Sequence, residues 1–358
     1  MTPIKQLDAT DMPPASAGDV PDQPRGLVSF TGRILRGALL VVLFACAVWA
    51  TLAIYYSNLP WASARTALAA AFAAFSIWSL ALAQRRWTLA TFAVLFLAVV
   101  VWEYLIPPSN DRAWRAEVAR TPRAIVSGDH VRVTDVRDFS YRSANDFNAT
   151  YIDRDVQLSH LTSVDLFISY WGTDDGPVAH TFLSFNFDNA EPLSISIEAR
   201  PEEGEGYAPV ASIFKQFELI YVVGEERDLV GSRVTHRREA VYLYPIRTNA
   251  DGARRLFLVY MQRINQLADH AEWYSLFKSN CTLNIIRYAR VAGWSSTGFN
   301  IRHLLNGWVD RYLYDDGVLD TGAPFRELRA RARVREGVRQ GEGAVEYSRR
   351  IRQDAPGR

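Results

Sequence analysis

The architecture of this chain is decided by residues 37–102, GALLVVLFACAVWATLAIYYSNLPWASARTALAAAFAAFSIWSLALAQRRWTLATFAVLFLAVVVW. This stretch contains three charged residues, Arg65, Arg85 and Arg86, and no Lys, Asp or Glu. A soluble surface is not built from so few charges, and three apolar runs approach the roughly 20 residues that cross a bilayer. The runs cover residues 35–56, 66–83 and 88–106. We therefore predict three transmembrane helices over residues 35–106. The second and shortest run has a re-entrant hairpin as its alternative.

Arginine residues in the short loops predict the orientation of these helices. Three of them precede the first span and two, Arg85 and Arg86, join the second span to the third. The N-terminus is therefore expected in the cytoplasm, and an odd number of spans places the rest of the chain in the periplasm, beyond a bacterial inner membrane. Residues 1–34 are polar and rich in Pro and Asp, so we predict a disordered cytoplasmic segment rather than a cleaved signal peptide.

Charge and length narrow the class of protein. The 358 residues carry 40 basic and 39 acidic side chains, which excludes a strongly basic nucleic-acid-binding protein. About 250 residues follow the membrane region, enough for one domain with its own core. From residue 325 onward, ten Arg stand against five acidic residues. We predict a basic tail over 324–358, either solvated or attracted to anionic lipid headgroups.

Strand patterns precede helix patterns in the outer part of the chain. Residues 107–128 are predicted to be a linker with a short amphipathic helix over 114–120 at the membrane surface. Alternating or apolar runs then predict strands, and apolar residues at helical spacing predict helices. The strands cover about 131–136, 164–171, 178–187, 193–199, 217–223 and 241–244, and the helices about 256–267 and 281–292. This order predicts an α+β domain over 129–323.

Cys281 is a candidate nucleophile. The only other cysteine, Cys46, lies in the first apolar run, so the two are not expected to pair. An unpaired thiol in a disulfide-forming compartment is either buried and inert or used. Cys281 opens a predicted helix, and the free N–H groups and dipole of a helix N-terminus stabilise a thiolate. Its position alone leaves both interpretations open.

A thiol nucleophile needs a base, and His180 is the best candidate among six His. It begins the segment HTFLSF within a predicted core strand, where an imidazole is costly unless it has a partner. Glu198 ends the alternating segment SISIE, which places it on one face of the next strand, where its carboxylate is positioned to orient the His180 ring. A salt bridge between Glu198 and Arg200 is the alternative.

Several other chemistries lack their motifs. The chain has no HExxH, CxxC or HxH spacing, no GxSxG elbow and no GxxxxGK loop. We therefore expect no metal and no other cofactor, and neither a serine hydrolase nor a nucleotide-dependent enzyme.

Short motifs over residues 138–293 resemble, in their order, the periplasmic domain family named after the lipoprotein N-acyltransferase Lnb. The motifs are Ser169-Tyr170-Trp171, His180-Thr181-Phe182, Ser196-Ile197-Glu198-Ala199-Arg200, Glu218-Leu219-Ile220-Tyr221, Glu225-Glu226-Arg227-Asp228, Val241-Tyr242-Leu243-Tyr244-Pro245 and Asn280-Cys281-Thr282. Their order also resembles circularly permuted NlpC-type papain folds. The resemblance implies a permuted papain-like domain, with an antiparallel sheet and helices, that follows the three transmembrane helices. It further implies Cys281 as nucleophile, His180 as base and Glu198 as the group that orients the base.

The resemblance implies thiol acyl transfer. Cys281 would take an acyl group from a phospholipid and pass it to a lipoprotein N-terminal amine, or to water if the protein is a hydrolase. The side chain of Asn280 and the backbone N–H of Cys281 are candidate oxyanion donors, although Asn280 is equally suited to cap the helix. Arg200, Arg227 and Arg233 are candidates for binding a phosphate or carboxylate, or for pairing at the surface with the acidic residues at 225, 226 and 228.

Two other functions stay open from the sequence. One is an NlpC-type amidase or peptidase that acts on cell-wall peptides. The other is a non-catalytic, membrane-tethered binding module in which Cys281 is merely packed.

Overall fold

The computed structural model describes residues 25–294, 300–339 and 341–356. The predicted disordered segment lies largely outside these residues, but its last part, 25–34, is helical and belongs to the first long helix. No proline interrupts residues 25–55, so the helix extends towards the N-terminus beyond the apolar run.

Three long apolar helices open the described chain. They are α1 (Arg25–Tyr55), α2 (Ala62–Ile77) and α3 (Arg86–Leu105). A π-helical turn, Trp78–Ala83, continues α2 to a total of 22 residues. Each helix is long and apolar enough to cross a membrane, so the prediction of three such segments is confirmed. Small residues on α1, Ala47, Ala50 and Ala53, let the helices approach, and Phe92 of α3 packs into the same cluster.

The rest of the chain is built on a nine-stranded, mostly antiparallel sheet. The eleven strands found in the described residues, two of which form a separate hairpin, are β1 (Arg123–Ser127), β2 (His130–Arg137), β3 (Ser140–Ser143), β4 (Asp146–Asn148), β5 (Tyr151–Gln157), β6 (Leu161–Tyr170), β7 (Ala179–Phe187), β8 (Leu193–Arg200), β9 (Glu218–Gly224), β10 (Ala240–Pro245) and β11 (Arg333–Val334). The order in the large sheet is β1-β2-β9-β8-β7-β6-β10-β11, with β5 paired to β2, while β3 and β4 make the hairpin. Strands β6 to β10 follow the predicted runs closely.

Helices cover both faces of this sheet. The α-helices after α3 are α4 (Glu226–Leu229), α5 (Gly231–Thr235), α6 (Ala250–Asp269), α7 (Cys281–Val291), α8 (Val309–Asp315), α9 (Phe325–Ala332) and α10 (Ala344–Arg350). The buried apolar side of α6 packs with residues of β6 to β9 in the main core, which Cys281 and Tyr288 of α7 also join. A mixed α/β domain with a mostly antiparallel sheet, preceded by three apolar helices, is thus confirmed.

The predicted surface helix over 114–120 is wrong. The structure has only a 3-10 turn, Ala116–Val118, and Trp114 is buried. Its indole Nε1 donates to the Asn110 carbonyl at 2.9 Å, and the guanidinium of Arg200 lies 4.3 Å from the centre of its ring. Trp114 therefore packs on the domain instead of the membrane. Strand β1 likewise falls inside the predicted linker.

The basic segment 324–358 is not a solvated tail in its described part. Tyr347 of α10 is fully buried in a second apolar cluster with Phe167 and Phe182, on the sheet face opposite to α6. Arg352 is buried as well, and its guanidinium binds the carboxylates of Asp165 and Glu226. Arginine content alone does not distinguish a solvated segment from one whose charges are paired inside the fold.

One end of the sheet faces the membrane helices. Strand register brings together the end of β6, the start of β7, the end of β8 and the start of β9. At this end the backbone N–H of Ser109 donates to Glu218 at 3.1 Å, and Trp273 Nε1 donates to the carbonyl of Ile106, just after α3, at 3.3 Å. We call it the membrane-proximal end.

Candidate active site

Cys281 is the first residue of α7 and lies at the membrane-proximal end. Asn280 caps the helix, because its Oδ1 accepts from the Leu283 backbone N–H at 2.8 Å. The hydroxyls of Thr282 and Thr181 are 2.9 Å apart, which fixes the start of α7 against β7. The Cys281 thiol is therefore held at a helix N-terminus, where the dipole favours a thiolate.

His180 is the side chain that most strongly lowers the pKa of this thiol. Burial alone would raise the pKa of Cys281, but the charge of His180 and hydrogen bonds from His180 and Thr181 outweigh it and lower the pKa to about 6. The thiol is thus matched to a base, and a large share of it is ionised at neutral pH. Position and electrostatics together favour a reactive cysteine over an inert one.

Ser196 lies between His180 and Glu198. The ring Nε2 of His180 is 2.6 Å from Ser196 Oγ, and that hydroxyl donates to Glu198 Oε1 at 2.8 Å. The direct distance from Nε2 to Glu198 Oε1 is 3.7 Å. Because Ser196 donates to the carboxylate, it accepts from Nε2–H, which leaves Nδ1 as the ring nitrogen available to Cys281.

Arg233 holds the carboxylate of Glu198 in its ionised form. Its Nη2 donates to Glu198 Oε1 at 2.9 Å. Burial acts to raise the pKa of Glu198, but Arg233, His180 and the more distant Arg137 lower it well below the ordinary value. The alternative pairing of Glu198 with Arg200 is therefore replaced by a pairing with Arg233, a residue 35 positions further along the chain.

A cleft of about 370 Å³ opens beside this group. Its walls include His180, Glu198, Trp171, Tyr207 and Tyr274. Burial raises the pKa of Tyr207 and of Tyr274, and negative charge at Cys281 acts on both in the same direction. The cleft thus gives access to the imidazole of His180 and the carboxylate of Glu198.

The structure does not bring Arg200 to this cleft. Its guanidinium donates to the carbonyls of Val118 and Ala119 and to Asn110 Oδ1, at 2.9, 2.9 and 3.2 Å. Burial lowers the pKa of Arg200 to about 10. Arg200 therefore fixes the segment that follows α3 and is not placed to grip a substrate.

Asn280 is also engaged away from the reacting atoms. While Oδ1 caps α7, Nδ2 donates to the Leu276 carbonyl at 2.8 Å. Both ends of the amide are thus used within the fold, which favours the cap over the oxyanion donor.

Asn306 is a candidate that the sequence analysis missed. Its Nδ2 lies 3.5 Å from Cys281 Sγ, and its Oδ1 accepts from the Ala179 backbone N–H at 2.9 Å. The next residue, Gly307, permits this approach, because a Cβ there would come within 2.0 Å of the Gly176 carbonyl. No local pattern marked Asn306, since its partners lie about 25 and 127 positions away in the sequence.

Metal chemistry finds no support in the described residues. Within those ranges, no three His, Cys, Asp or Glu side chains are grouped so as to hold an ion.

Comparison with known families bears on the domain that contains this site. Residues 147–307 match the family model described as the Lnb N-terminal periplasmic domain, so the resemblance drawn from the sequence is confirmed. With the three apolar helices, this match indicates a membrane protein with a periplasmic domain. Neither the curated proteins nor the solved structures compared with the chain gave a match.

Proposed function

Taking the outer domain as an Lnb N-terminal periplasmic domain, we propose that this chain is a membrane-anchored cysteine acyltransferase or lipid-processing enzyme. Its N-terminus is cytoplasmic and its domain is a permuted papain-like fold. It forms a thioester on Cys281 from a phospholipid and transfers the acyl group, with a lipoprotein N-terminal amine as the candidate acceptor. The observation that carries the proposal is the state of the Cys281 thiol. It lies buried at the N-terminus of α7, and His180 lowers its pKa to about 6.

In the first half-reaction, the Cys281 thiolate attacks the ester carbonyl carbon of the donor. A C–S bond forms, and negative charge collects on the carbonyl oxygen. The Cys281 backbone N–H and Asn306 Nδ2 are the donors that we assign to this oxyanion. When the intermediate collapses, the ester C–O bond breaks and protonated His180 gives its proton to the departing lysophospholipid oxygen.

In the second half-reaction, neutral His180 takes a proton from the acceptor amine as its nitrogen attacks the thioester carbon. The C–S bond breaks, an amide forms, and the thiolate is restored beside a protonated His180. Ser196 and Glu198 keep Nε2–H occupied during both steps, so that Nδ1 stays directed at the reacting atoms. Water in place of the amine gives a free fatty acid and makes the same site a hydrolase.

The position of the cleft favours lipid over cell-wall substrates. It lies at the membrane-proximal end of the sheet, where Trp273 and Ser109 tie the domain to the end of α3. A peptidoglycan amidase has no need of this position, whereas an enzyme that takes acyl groups from phospholipids does.

The test is to trap the acyl-enzyme. Full-length protein in phosphatidylethanolamine and phosphatidylglycerol vesicles is quenched in acid and its intact mass measured. We expect a mass gain of one acyl chain that neutral hydroxylamine removes. The gain should be absent from Cys281→Ala and retained in Cys46→Ser, which removes the other thiol of the chain.

The acceptor is identified by adding a diacylated lipopeptide, cell-wall muropeptides or water alone to the acylated protein. Formation of a triacylated lipopeptide supports transfer, and release of fatty acid alone supports hydrolysis. Cleavage of muropeptides without any acyl-enzyme would replace the proposal by the amidase. If no acyl-enzyme forms and neither the lipopeptide, the muropeptides nor water gives a product, the result would favour the non-catalytic binding module.

A further inference from the structure

The loop between β8 and β9, residues 201–217, joins the cleft to the membrane helices. Phe214 in this loop is buried against α1, where its ring stacks on Tyr56 with centroids 5.7 Å apart and lies 6.2 Å from Trp49. Lys215 Nζ donates to the carbonyls of Glu103 and Tyr104, in the last turn of α3, at 2.8 and 3.0 Å. These contacts seat the loop at the helix ends, the depth at which headgroups begin.

Apolar side chains of the same region are left uncovered. Val210 and Ile213 lie within four positions of Phe214, and Phe277 lies in the segment between Trp273 and α7. All three are exposed, and Tyr207 is 36% exposed. We call Tyr207, Val210, Ile213 and Phe277 the apolar rim. Side chains of this kind are costly in water when they lie together and favourable against acyl chains.

Tyr207 links the apolar rim to the candidate active site. The Tyr207 ring meets Trp171 edge to face at 5.5 Å, and Trp171 lies parallel to the His180 ring at 6.4 Å. Ring contacts thus lead from Tyr207, in the same loop as Phe214 and Lys215, through Trp171 to the His180 imidazole.

We propose that the apolar rim lies in the headgroup layer of the bilayer that holds α1 to α3, so that the cleft takes its substrate directly from that lipid surface. The occupant is the bilayer because Phe214 and Lys215, in the same loop, already dock on its helices. A lipid entering there need not leave the membrane fully to place its ester beside Cys281. The supply of substrate rests on the proposed function, but the placement of the rim does not.

The placement is tested by depth-dependent quenching in the full-length chain. In a Cys46→Ser, Cys281→Ser background, a nitrobenzoxadiazole fluorophore is attached through Val210→Cys. The matched control is Val345→Cys, because Val345 is 46% exposed against 47% for Val210 and lines a pocket with Phe187 and Asp188 at the opposite end of the sheet. Both proteins are placed in vesicles that contain a lipid spin-labelled near its headgroup.

We expect blue-shifted emission and at least roughly twofold quenching for the label at Val210, and neither for the label at Val345. Equal quenching at the two positions, or none at Val210, overturns the placement. Neither measurement needs a competent nucleophile, so the result stands whether or not the chain proves to be an acyltransferase.

A second experiment tests whether the apolar rim is needed for acylation from membrane lipid. In Val210→Asp with Ile213→Asp, two exposed side chains become charged, and we expect acylation from vesicle phospholipid to fall roughly tenfold or more. Iodoacetamide alkylation of Cys281 and acylation from a water-soluble thioester should stay within about twofold of wild type, as should every rate in Val345→Asp. An unchanged vesicle rate contradicts the rim. A loss in all assays contradicts it too, because the damage would then lie in the site itself.

Discussion

At the scale of single residues, the ionisation of one thiol decides whether this site does chemistry. Since only the thiolate is alkylated, a pKa of about 6 at Cys281 keeps alkylation by iodoacetamide fast down to about pH 6 and slows it below. In His180→Ala the favourable charge is lost and burial alone acts, so the half-maximal pH should rise above the ordinary thiol value of about 8.5. Rates are measured from pH 5 to 10 in a Cys46→Ser background.

The control for this measurement is His160→Ala. His160 also sits beside a carboxylate, Asp188, but at the opposite end of the sheet. Its removal should leave the alkylation profile unchanged. A wild-type profile with a midpoint near 8.5 would show that His180 does not activate the thiol.

Ser196 is expected to act as a positioning residue. Ser196→Ala leaves Nε2 without its acceptor at 2.6 Å, so the His180 ring is free to turn and acylation should fall at least roughly tenfold. The alkylation profile should move to higher pH, which a purely structural role would not cause. Ser194→Ala is the control, since Ser194 is buried on the same face and its hydroxyl donates to Ser184, away from His180. Equal effects from the two variants would argue against a positioning role of Ser196 between His180 and Glu198.

The same substitution, Asn to Asp, distinguishes the roles of the two asparagines near the thiol. Asn306→Asp keeps the acceptor for Ala179 N–H but replaces the donor 3.5 Å from Sγ by a carboxylate, so we expect single-turnover acylation to fall on the order of a hundredfold. Asn280→Asp keeps the capping oxygen and should retain most of the rate. The reverse ranking would return Asn280 to the oxyanion site.

At the scale of secondary structure, the capping of α7 links stability to the site. Asn280→Ala removes the acceptor of the Leu283 N–H and should destabilise the domain by about 1 kcal/mol, whereas Asn280→Asp should cost much less. Denaturant unfolding followed by near-ultraviolet circular dichroism measures the difference. Equal losses would mean that the bond from Asn280 Nδ2 to Leu276, and not the cap, holds the helix start.

Elements were predictable where one chain segment determines its own burial. The runs that became β7 and β8 are apolar or alternate, and α7 has a cap at one end and Gly293 at the other, so local pattern was sufficient. Residues 114–120 failed because the partner of Trp114 is Arg200, 86 positions away. The pairing of Glu198 with Arg233 and the approach of Asn306 to Cys281 could not be predicted from the sequence either, because the partners are 35 and 25 positions apart. His180, Glu198 and Cys281 were predicted from the lone thiol after the membrane region, the histidine in a core strand and the alternation of β8, and the family resemblance then implied their roles.

At the scale of the whole molecule, the segment around Arg352 stabilises the sheet that presents the site. Arg352→Met would remove the guanidinium that binds the buried carboxylates of Asp165 and Glu226, and loss of one partner of a buried ion pair typically costs about 3–5 kcal/mol. Arg349→Met is the control, because Arg349 lies three positions before Arg352, in the last turn of α10, and is exposed. Chemical denaturation at pH 7 should separate the two variants clearly.

The same pair predicts how stability depends on pH. Burial acts to raise the pKa of Glu226, but Arg352 and Ser184 lower it below the ordinary value. The stability that this pair contributes is therefore complete above about pH 4.3, the usual glutamate pKa, and is lost as the pH falls further. In Arg352→Met burial raises the pKa of Glu226 instead, so protonation of Glu226 in acid removes its buried charge. The difference in unfolding free energy between wild type and variant should therefore narrow as the pH falls. A gap independent of pH would show that the loss comes from packing alone.

The pairing of Arg352 with Asp165 and Glu226 also bears on biogenesis. The ribosome delivers Asp165 on β6 and Glu226 on α4, respectively 187 and 126 residues before Arg352. The ion pairs to Arg352 therefore form only after both acidic residues have been synthesised. The sheet that carries His180 gains this part of its stability late, once residue 352 has joined the fold.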